Sequence, residues 1–300
     1  MLKAAPLKST LALCASLFVG SALHAQTPAG QTAAPQTRLP EVLSSSVLNE
    51  EQRIGPTQRP EWTSRRRFTT TRVYIQRDPG EMAVEQWWRV RDFRNGTVGH
   101  LFQQEVEIGL PWRMQLDLYE NWVSDDQGRS RHNDFAVELR WALADWGVIP
   151  LNPTLYGEYK FVDPGQGPDV YEFKLLLGDQ LLPRLHWGLN AVFEQEVGGA
   201  RTTEFQVSQG ISYSVIDSRL GVGMEMKWIS ESEKAARGDS VSKFLIGPSV
   251  QVRPSKNTHL DLVALFGTNQ AAPSVEGYVV FGINFGKVGG HYSPTSLRSN

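Results

Sequence analysis

The sequence predicts an all-β protein, a transmembrane antiparallel up-and-down β-barrel of about 12 strands. Three observations favour this fold: runs that alternate apolar and polar residues, a repeated Glu-x-basic pattern inside those runs, and an N-terminal export signal. Residues i and i+2 of a strand share a face, so each pattern puts its carboxylate and its base on one face. The pattern recurs at Glu138–Arg140, Glu158–Lys160, Glu172–Lys174 and Glu225–Lys227.

The opposite face of these strands is apolar, with Leu139, Phe173 and Met226 among its residues. A soluble β-sandwich would turn this face inward, and that alternative stays open at this stage. So many strands of this kind, in a chain that begins with an export signal, favour a membrane barrel instead, with lipid outside and a charged lumen inside.

Residues 1–25 have the features of a secretory signal peptide. Two lysines are followed by an apolar stretch, residues 11–23, that is too short to span a membrane, and Ala25 provides a small residue at the predicted cleavage site. Cys14, the only cysteine of the chain, lies in this segment. We therefore expect Sec-type export, and a mature chain without disulfides.

Residues 26–80 are predicted to form a periplasmic leader that is mostly flexible. The first part of this leader is rich in Gln, Thr, Ala, Pro and Ser and lacks a steady period. A short helix is predicted over 42–53. Residues 68–76 have a β-type composition and are predicted to form either an extra strand or a segment packed against the barrel.

Charge is distributed unevenly along the chain. Residues 26–80 hold eight arginines against five acidic residues, whereas residues 81–300 hold 20 basic and 27 acidic residues. Arg65, Arg66 and Arg67 form a basic cluster that would suit an anionic surface, although a solvated or lumen-paired charge run is the favoured interpretation. No part of the chain resembles a nucleic-acid-binding module.

The barrel is predicted to span residues 81–286 and to be followed by a C-terminal tail, 287–300. Strand and turn signals alternate throughout it. The predicted strands are 83–93, 100–109, 113–123, 134–143, 153–162, 169–178, 184–197, 201–214, 218–230, 241–252, 258–267 and 275–286.

The connections between the predicted strands fall into two groups. Polar, glycine-containing loops follow the odd-numbered strands and mostly tighter turns follow the even-numbered ones, with 144–152 as a longer exception. Long external loops and short periplasmic turns place both termini in the periplasm. Trp112 and Trp146 near one rim, and Trp122 and Trp228 near the other, suit two interfacial aromatic belts.

Catalytic interpretations have little support in the sequence. The histidines are scattered without metal-ligand spacing, and His100 and His259 are predicted to be polar rim residues. His186 and Asn190 project to the predicted lumen without a matching serine. Pairs such as Glu105/Glu107 and Glu194/Glu196 fit a lumen wall better than glycoside chemistry. We expect no enzyme activity, no cofactor and no metal site.

The charged residues on the inner face are the candidate functional residues. Two interpretations remain open: they line a wet passage with a weak preference for cations, or they pair across strands into a network that closes the lumen. Acidic candidates outside the main set include Glu85, and Arg89, Arg91 and Arg113 are further basic ones. The main lumen-lining set is Asp117, Glu138, Arg140, Glu158, Lys160, Glu172, Lys174, Glu194, Glu204, Glu225, Lys227 and Lys243.

Several segments of the barrel resemble one group of outer-membrane proteins. These segments are residues 107–118, 152–160 and 210–215, followed by 220–225. They are similar to outer-membrane β-barrel transporters of the phenol-degradation MetA type. The resemblance implies uptake of hydrophobic or aromatic compounds. It covers roughly residues 100–285, and its motifs are of low specificity.

The sequence therefore predicts an outer-membrane channel or transporter for passive passage of small solutes through a charged lumen. The alternative is a non-conducting structural or binding barrel whose lumen is closed by a Glu/Lys/Arg network. Expected partners are outer-membrane lipid, the barrel-assembly machinery and an unidentified small solute. Many barrels end on an aromatic residue, whereas 15 residues, 286–300, follow Phe285 here, so an assembly signal would have to lie internally.

Overall fold

The computed structural model describes residues 47–125 and 127–286, and its strands are numbered here in chain order. A two-residue ladder, β1 (Arg53–Ile54) with β2 (Arg59–Pro60), precedes the barrel. Within the described residues, the helices are single 3₁₀ turns at Asn49–Glu51, Glu61–Ser64 and Lys234–Ala236. None of them is long and apolar enough to cross a membrane.

Twelve antiparallel strands close into a barrel. Each strand pairs with its neighbours in sequence, and the last one, β14, pairs with β3 to close the sheet. The strands are β3 (Met82–Asp92), β4 (Val98–Leu110), β5 (Met114–Ser124), β6 (Ser130–Ala142), β7 (Thr154–Val162), β8 (Val170–Leu182), β9 (Leu185–Glu196), β10 (Thr203–Ile216), β11 (Leu220–Ser232), β12 (Val241–Val252), β13 (Thr258–Gly267) and β14 (Val275–Phe285).

The predicted fold class and all twelve barrel strands are confirmed. The largest differences are at two strand ends, where β6 begins at Ser130 rather than at 134 and β8 ends at Leu182 rather than at 178. Backbone hydrogen bonds continue there past the point where apolar and polar residues alternate. Periodicity reports which residues face lipid, and it therefore underestimates the length of the ladders.

The flexible leader is the expectation that needs correction. Residues Asn49–Glu81, here called the inner segment, pack inside the barrel, with Trp62, Phe68 and Ile75 at most 2% exposed. The predicted short helix is only the 3₁₀ turn Asn49–Glu51 within the described residues. Residues 68–76 form no strand in the described structure. They pack against the barrel wall, which is the second of the two predicted alternatives. The predicted signal peptide, residues 26–46 and the tail 287–300 lie outside the described residues.

The two ends of the barrel differ. At one end, called the turn end, the connections are short, as at residues 183–184, with 143–153 as the long exception. The other end, called the loop end, carries the longer connections, such as 233–240. The inner segment is held at the turn end, where the backbone N–H of Trp146 donates to Thr57 O and the Asn49 N–H donates to Asp217.

The outer surface of the barrel is apolar, as a surface that faces lipid must be. Exposed outward residues recur on strand after strand, and Trp122 and Trp228 lie among them near the loop end. Trp146 departs from the predicted aromatic belt, because it is buried against Trp62 and Tyr74 of the inner segment. The outward set includes Val84, Leu139, Trp141, Leu155, Phe173, Leu175, Phe205, Ile211, Met224, Leu262 and Phe281.

A row of glycines makes room for the inner segment. Gly178, Gly188 and Gly210 lie opposite one another across β8, β9 and β10. A Cβ atom at Gly210 would lie 2.4 Å from Phe68 Cδ1, and one at Gly188 would lie 2.6 Å from Val73 Cγ2. Nonbonded carbon atoms do not approach each other this closely. The wall is therefore shaped to seat the inner segment.

The inside–outside assignment predicts unequal tolerance of a new charge. Leu175 faces outward near the middle of β8, whereas Gln206 lines the lumen on β10. We expect Leu175→Arg to lower the free energy of unfolding by about 2–4 kcal/mol, because the guanidinium would face hydrocarbon. Gln206→Arg should change it by less than about 1 kcal/mol. Urea unfolding of the two variants in lipid vesicles measures both values, and equal losses would contradict the assignment.

Candidate functional site

The lumen contains a cavity of about 500 Å³ between the loop end and the inner segment. Phe93 and Pro273 line it near the loop end, and Thr69, Thr70 and Arg72 of the inner segment line it on the other side. Most of the remaining lining is charged or polar. The described part of the barrel thus has two halves. The half near the loop end, called the upper half, is a polar vestibule, and the half near the turn end, called the lower half, is filled by the inner segment.

All twelve predicted lumen-lining residues lie on the inner face, but at two levels. Asp117, Arg140 and Glu225 lie below the cavity, where Glu225 accepts hydrogen bonds from the backbone N–H groups of Thr69 (2.9 Å) and Thr70 (2.6 Å). Arg140 donates to Gln76 Oε1 at 2.9 Å. The other nine line the cavity: Glu138, Glu158, Lys160, Glu172, Lys174, Glu194, Glu204, Lys227 and Lys243.

Strand register arranges the inner carboxylates in one unbroken row. Eight consecutive strands, β4–β11, each contribute one acidic residue, and each lies directly opposite the next one. Because barrel strands are tilted and staggered, the row climbs from the turn end towards the loop end. This carboxylate row is Glu107, Asp117, Glu138, Glu158, Glu172, Glu194, Glu204 and Glu231.

Like charges directly opposite one another destabilise a sheet, so the row requires compensating cations. Lys160 bridges Glu158 (3.2 Å) and Glu194 (2.8 Å). Lys174 pairs with Glu172 at 2.6 Å, and Lys243 pairs with Glu231. Arg140 contacts both Asp117 and Glu138.

Glu204 is different from its neighbours in the row. It lies opposite Glu194 on one side and Glu231 on the other. Within the described residues, no basic side chain comes within 4.0 Å of its carboxylate. The cavity lining therefore includes, in Glu204, a carboxylate without a basic partner among the described residues, close to the loop end.

The lower end of the row is a cage of three carboxylates. Glu85, Glu105 and Glu107 are fully buried, and one oxygen from each lies within 4.8 Å of the other two. Glu85 lies opposite Glu105 across β3 and β4, and Glu105 and Glu107 share the inner face of β4. Three buried carboxylates at this distance cannot stay ionised without cations between them.

Arginines of the inner segment supply those cations. Arg66 donates to Glu85 through Nε (3.0 Å) and Nη2 (2.6 Å). Arg72 donates to Glu105 at 2.8 Å, and Arg77 donates to Glu107 at 2.7 Å. Charge-assisted pairs of this kind are among the strongest hydrogen bonds in proteins.

An indole completes the cage. The guanidinium carbon of Arg66 lies 4.2 Å from the ring centroid of Trp87, and that of Arg72 lies 5.6 Å from it. The Trp87 Nε1–H donates to Glu85 at 3.0 Å, which fixes the ring. The Arg66 guanidinium thus has a carboxylate at its edge and an aromatic face against its plane.

His259 is part of the same wall, contrary to the expectation of a rim residue. It is fully buried, with Nδ1 2.6 Å from Asp261 Oδ2 and Nε2 3.2 Å from Glu85 Oε1. Arg253 pairs with Asp261 at 2.9 Å and also donates to the backbone carbonyl of Arg66. The wall therefore holds the side chain and the backbone of Arg66 together.

The structure differs from the predicted set of lumen bases at Arg113 and at the arginines of the inner segment. Arg113 lies in the β4–β5 turn beside Asp145, outside the lumen. Arg66, Arg72 and Arg77 were missing from the lumen-lining set because they precede the strands. The excess of arginines before residue 80 and of acidic residues after it was the available signal.

No protein-family model matches the chain, and no curated protein matches it. Solved structures share its architecture. An outer membrane channel from Pseudomonas putida F1 aligns with a TM-score of 0.52 at 10% identity, over 71% of this chain and 98% of that one. The NanC porin gives 0.47 at 11% identity over 68% and 99%, and the KdgM porin in complex with disordered oligogalacturonate gives 0.44 at 9% over 68% and 98%. At this identity the likeness concerns the fold.

The cage predicts that removing one guanidinium loosens the inner segment. Arg66→Ala leaves Glu85 without its closest cation, and breaking a buried pair in this way costs about 3–5 kcal/mol. Chymotrypsin should then cleave the inner segment at Trp62, Phe68 or Tyr74 at least tenfold faster, while the barrel fragment stays intact. Arg129→Ala, which removes an exposed loop pair, is the control. Unchanged cleavage in Arg66→Ala would contradict this role.

The contact between Asp217 and the inner segment at the turn end should depend on pH. Partial burial raises its pKa, but the backbone N–H groups of Asn49 and Glu50 outweigh burial and hold the pKa below its usual value. A lowered pKa means that the contact stabilises the folded state above about pH 4 and is lost as the pH falls through the lowered value.

Asp217→Asn should therefore reproduce the effect of acid at neutral pH. We expect faster hydrogen exchange of residues 47–54 in this variant than in the wild type at pH 7, and a difference that shrinks as the pH falls below about 4, after correction for intrinsic rates. Asp125→Asn, at the loop end, is the matched control. A difference that does not shrink on acidification would assign the effect to something other than the charge.

Proposed function

We propose that the chain is an outer-membrane channel for passive passage of small solutes, with its inner segment as the gate. The supporting observation is the cavity, which is lined by charged side chains and ends on Thr69, Thr70 and Arg72 of the inner segment rather than on the barrel wall. A closed structural barrel has no need of a separate segment to fill its lower half. The turn end faces the periplasm in this proposal, because short turns are typical of the periplasmic end of such barrels.

The predicted alternative, a lumen closed by a cross-strand network, is less favoured by the contacts. The wall carboxylates of the cage take their cations from the inner segment, and most of the wall bases pair around the cavity without filling it. Release of the inner segment would open a continuous lumen. The same release would leave an excess of acidic residues in the lower half, which favours cations.

The MetA-type resemblance implies a finer substrate class, hydrophobic or aromatic compounds. The charged lining of the cavity favours polar solutes over such compounds, and we therefore propose small hydrophilic solutes. Outer-membrane lipid is the partner of the apolar outer surface, and the barrel-assembly machinery would insert the chain there.

Single-channel conductance in a planar bilayer with a salt gradient tests the proposal. The wild type should show infrequent openings, and Arg66→Ala combined with Arg72→Ala should show an open probability at least tenfold higher. Folded and inserted variants that remain silent would refute a channel.

Selectivity gives a second observable in the same experiment. Glu204→Gln removes an unpaired lumen carboxylate and should move the reversal potential towards zero by several millivolts. Glu120→Gln, a matched change of an exposed residue in the outward-facing register of β5, should leave it unchanged. A shift in both variants, or in neither, would contradict the assigned lumen.

A further inference from the structure

The cage at the lower end of the carboxylate row has the composition of a binding site for an organic cation. Three buried carboxylates converge beside the face of Trp87, and a guanidinium already occupies the centre. Arg66 Nη2 lies 2.6 Å from Glu85, 3.7 Å from Glu105 and 3.6 Å from Glu107. Carboxylates at the edge of a planar cation and an aromatic ring on its face are the usual means of recognising guanidinium and ammonium groups.

Two cage oxygens are not fully used by the inner segment. Glu107 Oε1 is buried and makes no hydrogen bond within the described residues, and the nearest guanidinium nitrogens lie 3.6 Å from it. Glu85 Oε1 has its near basic group on the wall, His259 Nε2 at 3.2 Å, rather than on the inner segment. The Arg66 Nη1 atom lacks an acceptor among the described residues. The cage therefore holds the arginines with imperfect geometry, and a free cation that settles deeper would satisfy these oxygens better.

The cage borders the vestibule. Trp87 and Arg72 belong both to the cage and to the lining of the cavity. The carboxylate row connects the two places: it begins with Glu231 near the loop end, passes the unpaired Glu204, and ends at Glu107 in the cage. A cation that enters at the loop end meets a carboxylate on every strand from β11 to β4.

We infer that Glu85, Glu105, Glu107 and Trp87 form a recognition site for solutes that carry a guanidinium or ammonium group, with Arg66 and Arg72 as tethered stand-ins for the solute. The inference deepens the proposed channel function and rests on it for its physiological meaning. A solute of this class competes with the inner segment for the same carboxylates. Its arrival thus favours release of the inner segment, as expected when a ligand binds only one of two states.

A divalent metal is the other cation that three carboxylates suggest. The cage oxygens lie up to 4.8 Å apart, and the fourth wall of the cage is an indole, which is not a metal ligand. The arginines that occupy the cage are planar and delocalised. The composition of the cage therefore favours an organic cation.

Calorimetry with n-butylguanidinium tests the site without reference to conductance. The probe carries one guanidinium, and n-butylurea is its neutral isostere. Arg66→Ala with Arg72→Ala removes two of the three guanidinium groups from the cage and leaves Arg77 on Glu107. This double variant should bind n-butylguanidinium at least tenfold more tightly than the wild type. It should not bind n-butylurea. Equal affinity in the two proteins, or binding of Ca²⁺ but not of n-butylguanidinium, would overturn the inference.

Two further changes in the double variant locate the binding. Addition of Glu105→Gln should weaken n-butylguanidinium binding at least tenfold, because it removes a cage carboxylate. Addition of Glu120→Gln, whose position faces outward, should have no effect. Equal effects of both changes would place the probe elsewhere.

The wild type offers a measurement that does not depend on folding of the variants. n-Butylguanidinium at millimolar concentration should accelerate chymotrypsin cleavage of the inner segment at least threefold, and n-butylurea should not. No acceleration would count against competition for the cage. Binding of n-butylguanidinium without any conductance would contradict the proposed channel and support the binding site. Conductance without binding would contradict the binding site and support the channel.

Discussion

Neutralisation of buried wall carboxylates by arginines of the inner segment is the interaction on which the rest of the structure depends. Glu85, Glu105 and Glu107 are fully buried, and burying them as isolated ions would cost several kcal/mol for each carboxylate. Arg66, Arg72 and Arg77 remove that cost. The inner segment, which forms the floor of the cavity, depends on these pairs for its place in the lumen.

The barrel wall is built for this partner in steric terms as well. The glycine row on β8–β10 leaves space for Phe68 and Val73. Larger side chains at the glycine positions would fill that space. Glu225 receives the backbone N–H groups of Thr69 and Thr70, and Asn190 exchanges hydrogen bonds with the backbone of Arg72. Shape, backbone hydrogen bonds and charge therefore fix the same segment in the same place. Such agreement is typical of a specific contact rather than of a collapsed tail.

The sequence predicted the barrel well because strand periodicity is local. Alternation in segments such as 134–143 and the turn signals between them determine which residues face lipid, and they needed no knowledge of other strands. The carboxylate row could not be found in this way. Neighbouring members of the row are 10–27 residues apart in sequence, and only the stagger between strands places Glu172 opposite Glu194 or Glu204 opposite Glu231.

The inner segment was harder to predict for a different reason. Arginines in a stretch without periodicity have the same composition whether they are solvated or buried against carboxylates, and local patterns do not distinguish the two. The imbalance of charge between residues 26–80 and 81–300 indicates that the two parts attract each other. It does not indicate which residues pair. Converting it into pairs such as Arg66 with Glu85 required the closed barrel.

A reversible lock of the inner segment tests the central claim most directly. Thr71 Oγ1 and Ser208 Oγ are 3.2 Å apart, and the only native cysteine lies in the predicted signal peptide, so Thr71→Cys with Ser208→Cys provides one engineered disulfide. The lock is best placed in a background of Arg66→Ala and Arg72→Ala, where openings are frequent. If the inner segment is the gate, oxidation should abolish these openings and reduction should restore them. Equal conductance in the oxidised and reduced protein would contradict the account.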